Sequence, residues 1–164
     1  MMMTDNIKWI TARMMDGWVA QAGASERLRT HYNVHQDLSD PVQRLFVAAR
    51  RQSYFRPHRH PGKSEFAIVV CGLFDVFEFD DSGRITGRTS VGPGAQTLAL
   101  DIQPGVWHTW LPMADESVFF EVKQGPYDPQ SPAEFAPWSP PERTAGVAAF
   151  QLRLNAAGVG DCPA

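Results

Sequence analysis

His58, His60 and Glu65 fall within eight residues of one another in "FRPHRHPGKSEF", and His108 follows a second turn in "QPGVWHTW". In an extended chain, residues i and i+2 point to one side. The imidazoles of His58 and His60 therefore converge, while Arg59 faces away. Pro61, Gly62 and Lys63 allow a tight reversal, with Gly62 free to take an unusual φ, and Glu65 returns to the same point. Pro104 and Gly105 turn the chain again just before His108. Three imidazoles and a carboxylate at one point form a site for one divalent transition-metal ion. In octahedral geometry the ion keeps two positions open for water, substrate or dioxygen. Iron, manganese, nickel, cobalt and zinc all suit this donor set, and affinity order alone does not choose among them.

Other side chains are placed near that point by strand parity. Tyr54 and Arg56 share parity with His58, so both are expected inside. A buried arginine needs an anionic partner, which is either a protein carboxylate or an anionic substrate. Trp110 shares parity with His108 and serves as an aromatic wall or as core. Glu121 and Lys123 share one face of "FFEVK", which reads as solvated; the alternative is a polar lining with a proton-transfer group.

The elements that must position these groups are short. "TARMMDGWVAQAGAS" carries Met14, Met15, Trp18, Val19 and Ala22 on a helical stripe that Gly23 can stop, within a helical preface over residues 4–35. "ERLRTHYNVHQDLSDPVQR" is polar and reads as an irregular connection. From Val42 onward strands dominate: "QRLFVAAR", "SYFRPHRH", "EFAIVVCG", "LFDVFEF", "RITGRTSV", "TLALDI", "VWHTWL" and "SVFFEVK". "EFAIVVCG" is continuously apolar and is expected to be buried on both faces; "LFDVFEF" alternates. "DDSG" is a hairpin turn with Gly83 able to take positive φ. Many short strands at regular spacing predict an antiparallel barrel or sandwich. The proline-rich "GPYDPQSPAEFAPWSPPER" predicts an extended segment over the barrel. "SPPE" suggests a helix start, with Ser139 as N-cap and Glu142 closing a capping box, although "FQLRL" also alternates as a strand would.

The 164 residues suit one core, and 43% apolar with 20% charged residues suits a globular chain. A net charge of −3 argues against a nucleic-acid surface. No apolar run reaches membrane-spanning length, and the N-terminus has no signal-peptide pattern. Cys71 and Cys162 are expected to be reduced, which fits a cytoplasmic protein.

His58, His60, Glu65 and Gly72 resemble the first cupin motif, and Pro104, Gly105 and His108 the second. Gln103 stands where that second motif usually has proline. "HYNVH", "DPVQR", "SYFRPHRHPGKSE", "GVWHT", "FEVKQGPYDP" and "FAPWSP", from about Arg27 to Pro141, resemble the WbuC family of cupin-fold metalloproteins. The resemblance implies an all-β cupin barrel (a double-stranded β-helix, or jelly roll) over residues 42–125. A short N-terminal helical extension and connection would occupy residues 1–41, and a C-terminal segment packed over the barrel residues 126–164. It also implies a bound metal and an association with surface-polysaccharide gene clusters. Through "YNVH" and "GPY" it adds His31, Asn33, His35 and Tyr127 as pocket candidates.

The expected function is that of a metal-dependent enzyme acting on a small polar molecule, such as a sugar or sugar nucleotide. The alternatives are a non-haem iron dioxygenase and a metal-dependent binding module without turnover. The expected partner is a small, anionic ligand rather than nucleic acid or membrane, with a homodimer left open.

Overall fold

The computed structural model describes residues 7–130 and 133–164. Residues 4–6 of the expected helical preface and 131–132 of the expected extended tail lie outside them. Helix α1 spans Ala12–Ala24 and buries Trp18, Val19 and Ala22, as the stripe predicts. Thr11 caps it, its hydroxyl oxygen accepting the Met14 N–H. The helix is much shorter than the expected preface, because the segment read as an irregular connection contains strand β1, Arg29–Asn33. Its residues, Arg-Thr-His-Tyr-Asn, carry no apolar alternation. It forms by pairing with β2 (Val42–Ala49), from Arg29 opposite Ala49 to Asn33 opposite Leu45.

The remaining strands are β3 (His58–Arg59), β4 (Glu65–Cys71), β5 (Phe74–Phe79), β6 (Ile85–Val91), β7 (Ala99–Ile102), β8 (Trp107–Pro112), β9 (Ser117–Gln124) and β10 (Glu134–Phe135), followed by helix α2 (Gly146–Ala156). They form two five-stranded antiparallel sheets, ordered β1-β2-β9-β4-β7 and β10-β3-β8-β5-β6. Between the sheets lies a core that includes Val47, Ala67, Val69, Phe74, Val76, Trp110 and Phe119. The hairpin turn at "DDSG" forms as expected, with Gly83 at φ +84°.

Burial on both faces occurs, but in a different strand from the one expected. In β4, Glu65, Ala67 and Val69 point inward, whereas Phe66 is 45% exposed and Val70 36%. Helix α1 covers the outer face of this sheet where Trp18 packs on Tyr32 and Phe46, and β4 lies beyond it. In β5, Phe74 and Val76 enter the central core, while Phe77 and Phe79 are buried on the other face in a second core with Trp107, Phe150 and Leu154. Phe150 and Leu154, one turn apart on α2, supply the cover that the alternation could not reveal.

The proposed capping box does not form. Helix α2 begins at Gly146, and "FQLRL" lies within it. The Ser139 hydroxyl donates to the Ala136 carbonyl. Glu142 instead binds Arg27 (2.8 Å) and the more buried Arg29. Burial raises the Glu142 carboxyl, but the two guanidinium groups more than offset it and hold it below its ordinary value. A carboxylate lowered in this way stabilises the fold above its unfolded value and loses that contribution as pH falls through the folded value. Glu142→Gln should therefore lower Tm at about pH 7. The deficit should shrink as melts are repeated below the ordinary carboxylate value of about 4.3. An equal deficit throughout would show that the ion pair is not its source.

Candidate metal centre

β3 and β8 place His58 directly opposite His108, with ring centroids 4.4 Å apart. His60 follows β3, and its carbonyl accepts the Gly105 N–H at 2.9 Å, which ties the second turn to the first motif. Gly105 has φ +81°, which only glycine adopts readily. Gly62, expected to carry the unusual backbone, is not among the glycines of positive φ. Glu65 opens β4 on its inner face. One ligand atom from each of His58, His60, Glu65 and His108 lies within 4.8 Å of the others.

The polarity of the donors fits a cation. Nδ1 of His58 lies 3.0 Å from the Arg56 carbonyl, and Nδ1 of His108 lies 3.0 Å from the Val106 carbonyl. A carbonyl only accepts, so each Nδ1 carries the proton and each Nε2 presents a lone pair. Nε2 of His60 and His108 and Oε2 of Glu65 are buried with no hydrogen-bond partner among the described residues. His60 Nε2 and Glu65 Oε2 are 3.1 Å apart without hydrogen-bond alignment. Each such orphan costs about 1–3 kcal/mol if left unsatisfied, and one divalent ion would satisfy all of them. Burial pushes His58 down to about 3, and His108 adds to the effect. Burial likewise lowers His108. For Glu65 burial raises the carboxyl, but His60, Lys123, His108 and His58 together hold it well below the carboxylate range. Neutral imidazoles and an ionised carboxylate are the states in which these groups ligate a metal.

A cavity of about 390 Å³ opens over His58, His60 and Glu65. Phe55, Arg56, Trp110 and Phe119 line it, as do His31, Asn33, His35 and Tyr127. Trp110 is both wall and core. It is 2% exposed and stacks on Phe119 with centroids 4.3 Å apart. His31 and Asn33 sit exposed on β1, whereas His35 is buried.

Tyr54 is a correction. It packs in the second core, outside the barrel, edge-on to Phe150 with its hydroxyl donating to the Pro140 carbonyl. β3 is only two residues long, so the two-residue period does not extend back from His58 to Tyr54. Arg56 does line the cavity, and of the two partners open to it the protein carboxylate is absent within 4 Å among the described residues. Its guanidinium donates to Ser139 Oγ and to the carbonyls of Ala136 and Ser139, each at 3.2 Å, and lies over Phe135.

Glu121 and Lys123 are also corrected: they line the cavity rather than a solvated face. Lys123 contacts Glu121 and lies 3.7 Å from Glu65. Burial, and then the Glu65 charge, raise Glu121 to about 7. Their parity with Phe119 was the available signal, since a strand that buries Phe119 inward also turns positions 121 and 123 inward.

Two antiparallel sheets enclosing a core, with a His-rich cluster at one mouth, define a cupin barrel. The likeness extends to a recombinant oxalate oxidase in complex with glycolate, at a TM-score of 0.52 and 19% identity, covering 70% of this chain and 58% of that one. The chain belongs to the family described as a domain of unknown function (DUF6016), whose model matches residues 10–91. That span includes His58, His60 and Glu65 and ends before His108. KdgF from Halomonas sp. aligns at 15% identity and a TM-score of 0.48, over 74% of this chain and 91% of KdgF. A cupin 2 conserved barrel domain protein from Rhodopseudomonas palustris aligns at 15% identity and 0.47, over 59% and 61%. No curated protein matches the sequence. Among the described residues, no helix is long and apolar enough to cross a membrane.

Proposed function

We propose that this protein is a metal-dependent enzyme that holds one divalent transition ion through His58, His60, Glu65 and His108 and acts on a small, anionic polar molecule. The observation that carries the reading is the set of buried, unpartnered donor atoms, two Nε2 and one Oε2, beside a cavity of about 390 Å³. When bound, the ion would supply Lewis acidity toward a carbonyl or hydroxyl of the substrate. Lys123 and Glu121 line the cavity beside Glu65 and form a donor–acceptor pair able to move a proton at the substrate. Trp110 and Phe119 give an apolar wall that excludes water. The wall carries the cationic side chains Arg27, Arg29, Arg56 and Lys123 against the carboxylates Glu65, Glu121 and Glu142, before any charge of the ion is added. That balance favours an anion.

The resemblance to the WbuC family points to a sugar or sugar nucleotide of surface-polysaccharide synthesis in the cytoplasm. The volume lies at the small end of the range for small-molecule sites, which suits a monosaccharide better than a whole sugar nucleotide. Isomerisation, epimerisation and dehydration of such compounds are redox-neutral. A non-haem iron dioxygenase is the second reading, because three imidazoles and a carboxylate also suit a redox-active ion.

The deciding experiment screens sugars and sugar nucleotides against protein reloaded with zinc, manganese or iron, each with and without oxygen. Turnover by the zinc or manganese protein under strict anaerobiosis is the expected result. Activity found only with iron and scaling with dissolved oxygen would reject the redox-neutral reading.

A further inference from the structure

His35 is 4% exposed and lines the cavity, yet no part of the proposed centre uses it. It follows β1 and meets β2 at the point where their ladder ends. The last pair of that ladder is Asn33 opposite Leu45. One step further, the Arg44 carbonyl is taken by the Val34 N–H at 2.8 Å. The Arg44 N–H, left without a strand partner, donates to His35 Nδ1 at 3.0 Å. A backbone N–H can only donate, so Nδ1 must accept, and the ring proton is on Nε2. The Arg44 carbonyl also lies 2.9 Å from Nδ1, but it already accepts from the Val34 N–H, and a proton on Nδ1 would add a second bond there while leaving the Arg44 N–H without this acceptor. We therefore assign the tautomer that satisfies both backbone groups of Arg44. Nε2–H is a donor, and it is buried with no acceptor among the described residues.

The inner face of the first sheet relates this donor to the metal cluster. Glu65 pairs with Lys123, and Lys123 pairs with Gln43, so one row of inward residues crosses three strands. At strand spacing this row covers roughly 10 Å. His35 is attached at Arg44, one residue beyond the far end of the row. The Gln43 side-chain amide is turned to the backbone instead, donating to the Asp40 carbonyl at 2.7 Å and facing the Leu38 carbonyl at 3.5 Å.

We propose that His35 Nε2–H is the recognition point for an acidic oxygen, carboxylate or phosphate, at the end of the substrate remote from the metal cluster. The inference rests on the proposed reading of this cavity as a site for a small anionic molecule, and it adds the substrate's length and polarity. A span of about two strand spacings suits a six-carbon sugar acid or sugar phosphate rather than a two-carbon acid. The donor is held by backbone, so it reads an acceptor and does not shuttle a proton. His35 is a substrate-binding residue rather than a metal ligand.

Two substitutions separate recognition from the structural role of the ring. His35→Asn places an amide oxygen near the position of Nδ1, so it can cap the Arg44 N–H, but it does not reach the position of Nε2. His35→Gln places an amide N–H near the position of Nε2 and gives up the cap. The probes are gluconate and glucose 6-phosphate, with glucose as the neutral control, titrated by calorimetry into zinc-loaded and chelator-stripped protein. The wild type should bind at least one acidic probe more tightly than glucose, and the better acid identifies the group read. His35→Asn should keep its Tm and lose about ten-fold or more in affinity for that acid. His35→Gln should lose Tm and keep affinity within about three-fold of wild type. Affinity that simply follows Tm, wild-type affinity in His35→Asn, or no preference of the wild type for either acid would overturn the proposal. Zinc content is read in parallel: both variants should match wild type. A wild type that holds no zinc would count against the metal reading alone, since acid binding by the stripped protein still tests His35.

Discussion

Replacing His58 and His108 together by alanine is expected to leave the purified protein with less than about a tenth of the wild-type metal content. Wild-type protein prepared without a histidine tag should carry about one ion per chain, because the four side chains converge on one point with their Nδ1 atoms or neighbouring charges arranged to leave donors facing inward. The double variant keeps Glu65 and His60, two ligands, which are too few to retain a divalent ion through dialysis. Each single variant should fall between the two. Elemental analysis provides the measurement, with circular dichroism to confirm that the variant keeps the β-sheet content of the wild type. Wild-type stoichiometry in the folded double variant would dismiss the proposed ligand set.

The largest effect on stability is expected at Gly72, between β4 and β5. Its φ is +72°, and a Cβ built there would lie 2.2 Å from the Glu116 carbonyl oxygen, 2.4 Å from Ser117 Oγ and 2.7 Å from Ser117 Cα. Two of these three neighbours are backbone, so rotating a side chain cannot relieve the contact. The same serine hydroxyl accepts the Leu73 N–H and donates to the Leu73 carbonyl, which locks the two loops together. Gly72→Ala should cost about 3 kcal/mol or more, a fall of roughly 10 °C in Tm for a chain of this size. Gly94 is the matched control. It has φ +89°, but an added Cβ meets nothing within 4 Å, so Gly94→Ala should show only the backbone strain of about 1–2 kcal/mol. Equal losses in the two variants would show that the close approach to Glu116 and Ser117 is not what matters.

These two sites also show what could be read from the sequence alone. Turn glycines and closely spaced histidines are local signals. Gly83, Gly105 and the proximity of His58 to His60 depend on a handful of adjacent residues; strand spacing narrows the class to a barrel or sandwich, and the resemblance to the cupin motifs selects the barrel. Strand β1 was invisible because its residues carry no apolar alternation and it exists only through its pairing with β2. The placement of Tyr54 failed for a related reason: parity is a property of a regular strand, and β3 is too short to carry it four residues back. The role of Glu142 is hidden in the sequence because a local capping pattern competes with two arginines more than one hundred residues away. The inward turn of Glu121 and Lys123 was within reach, since Phe119 shares their parity. In sequence, the ion-paired polar lining of a cavity looks the same as a solvated face.

The imidazoles of His58 and His108 are oriented by the peptide carbonyls of Arg56 and Val106, each two residues earlier in the chain. A peptide carbonyl is present whatever side chain its residue bears. Residue 56 lines the cavity and residue 106 packs against the barrel core, so both positions can diverge without disturbing the groups that aim the rings. In evolutionary terms, the ion-holding apparatus and the ligand-reading surface are encoded by different parts of the same residues, main chain for one and side chain for the other. A descendant of this protein can therefore change what it recognises while inheriting its donor geometry intact.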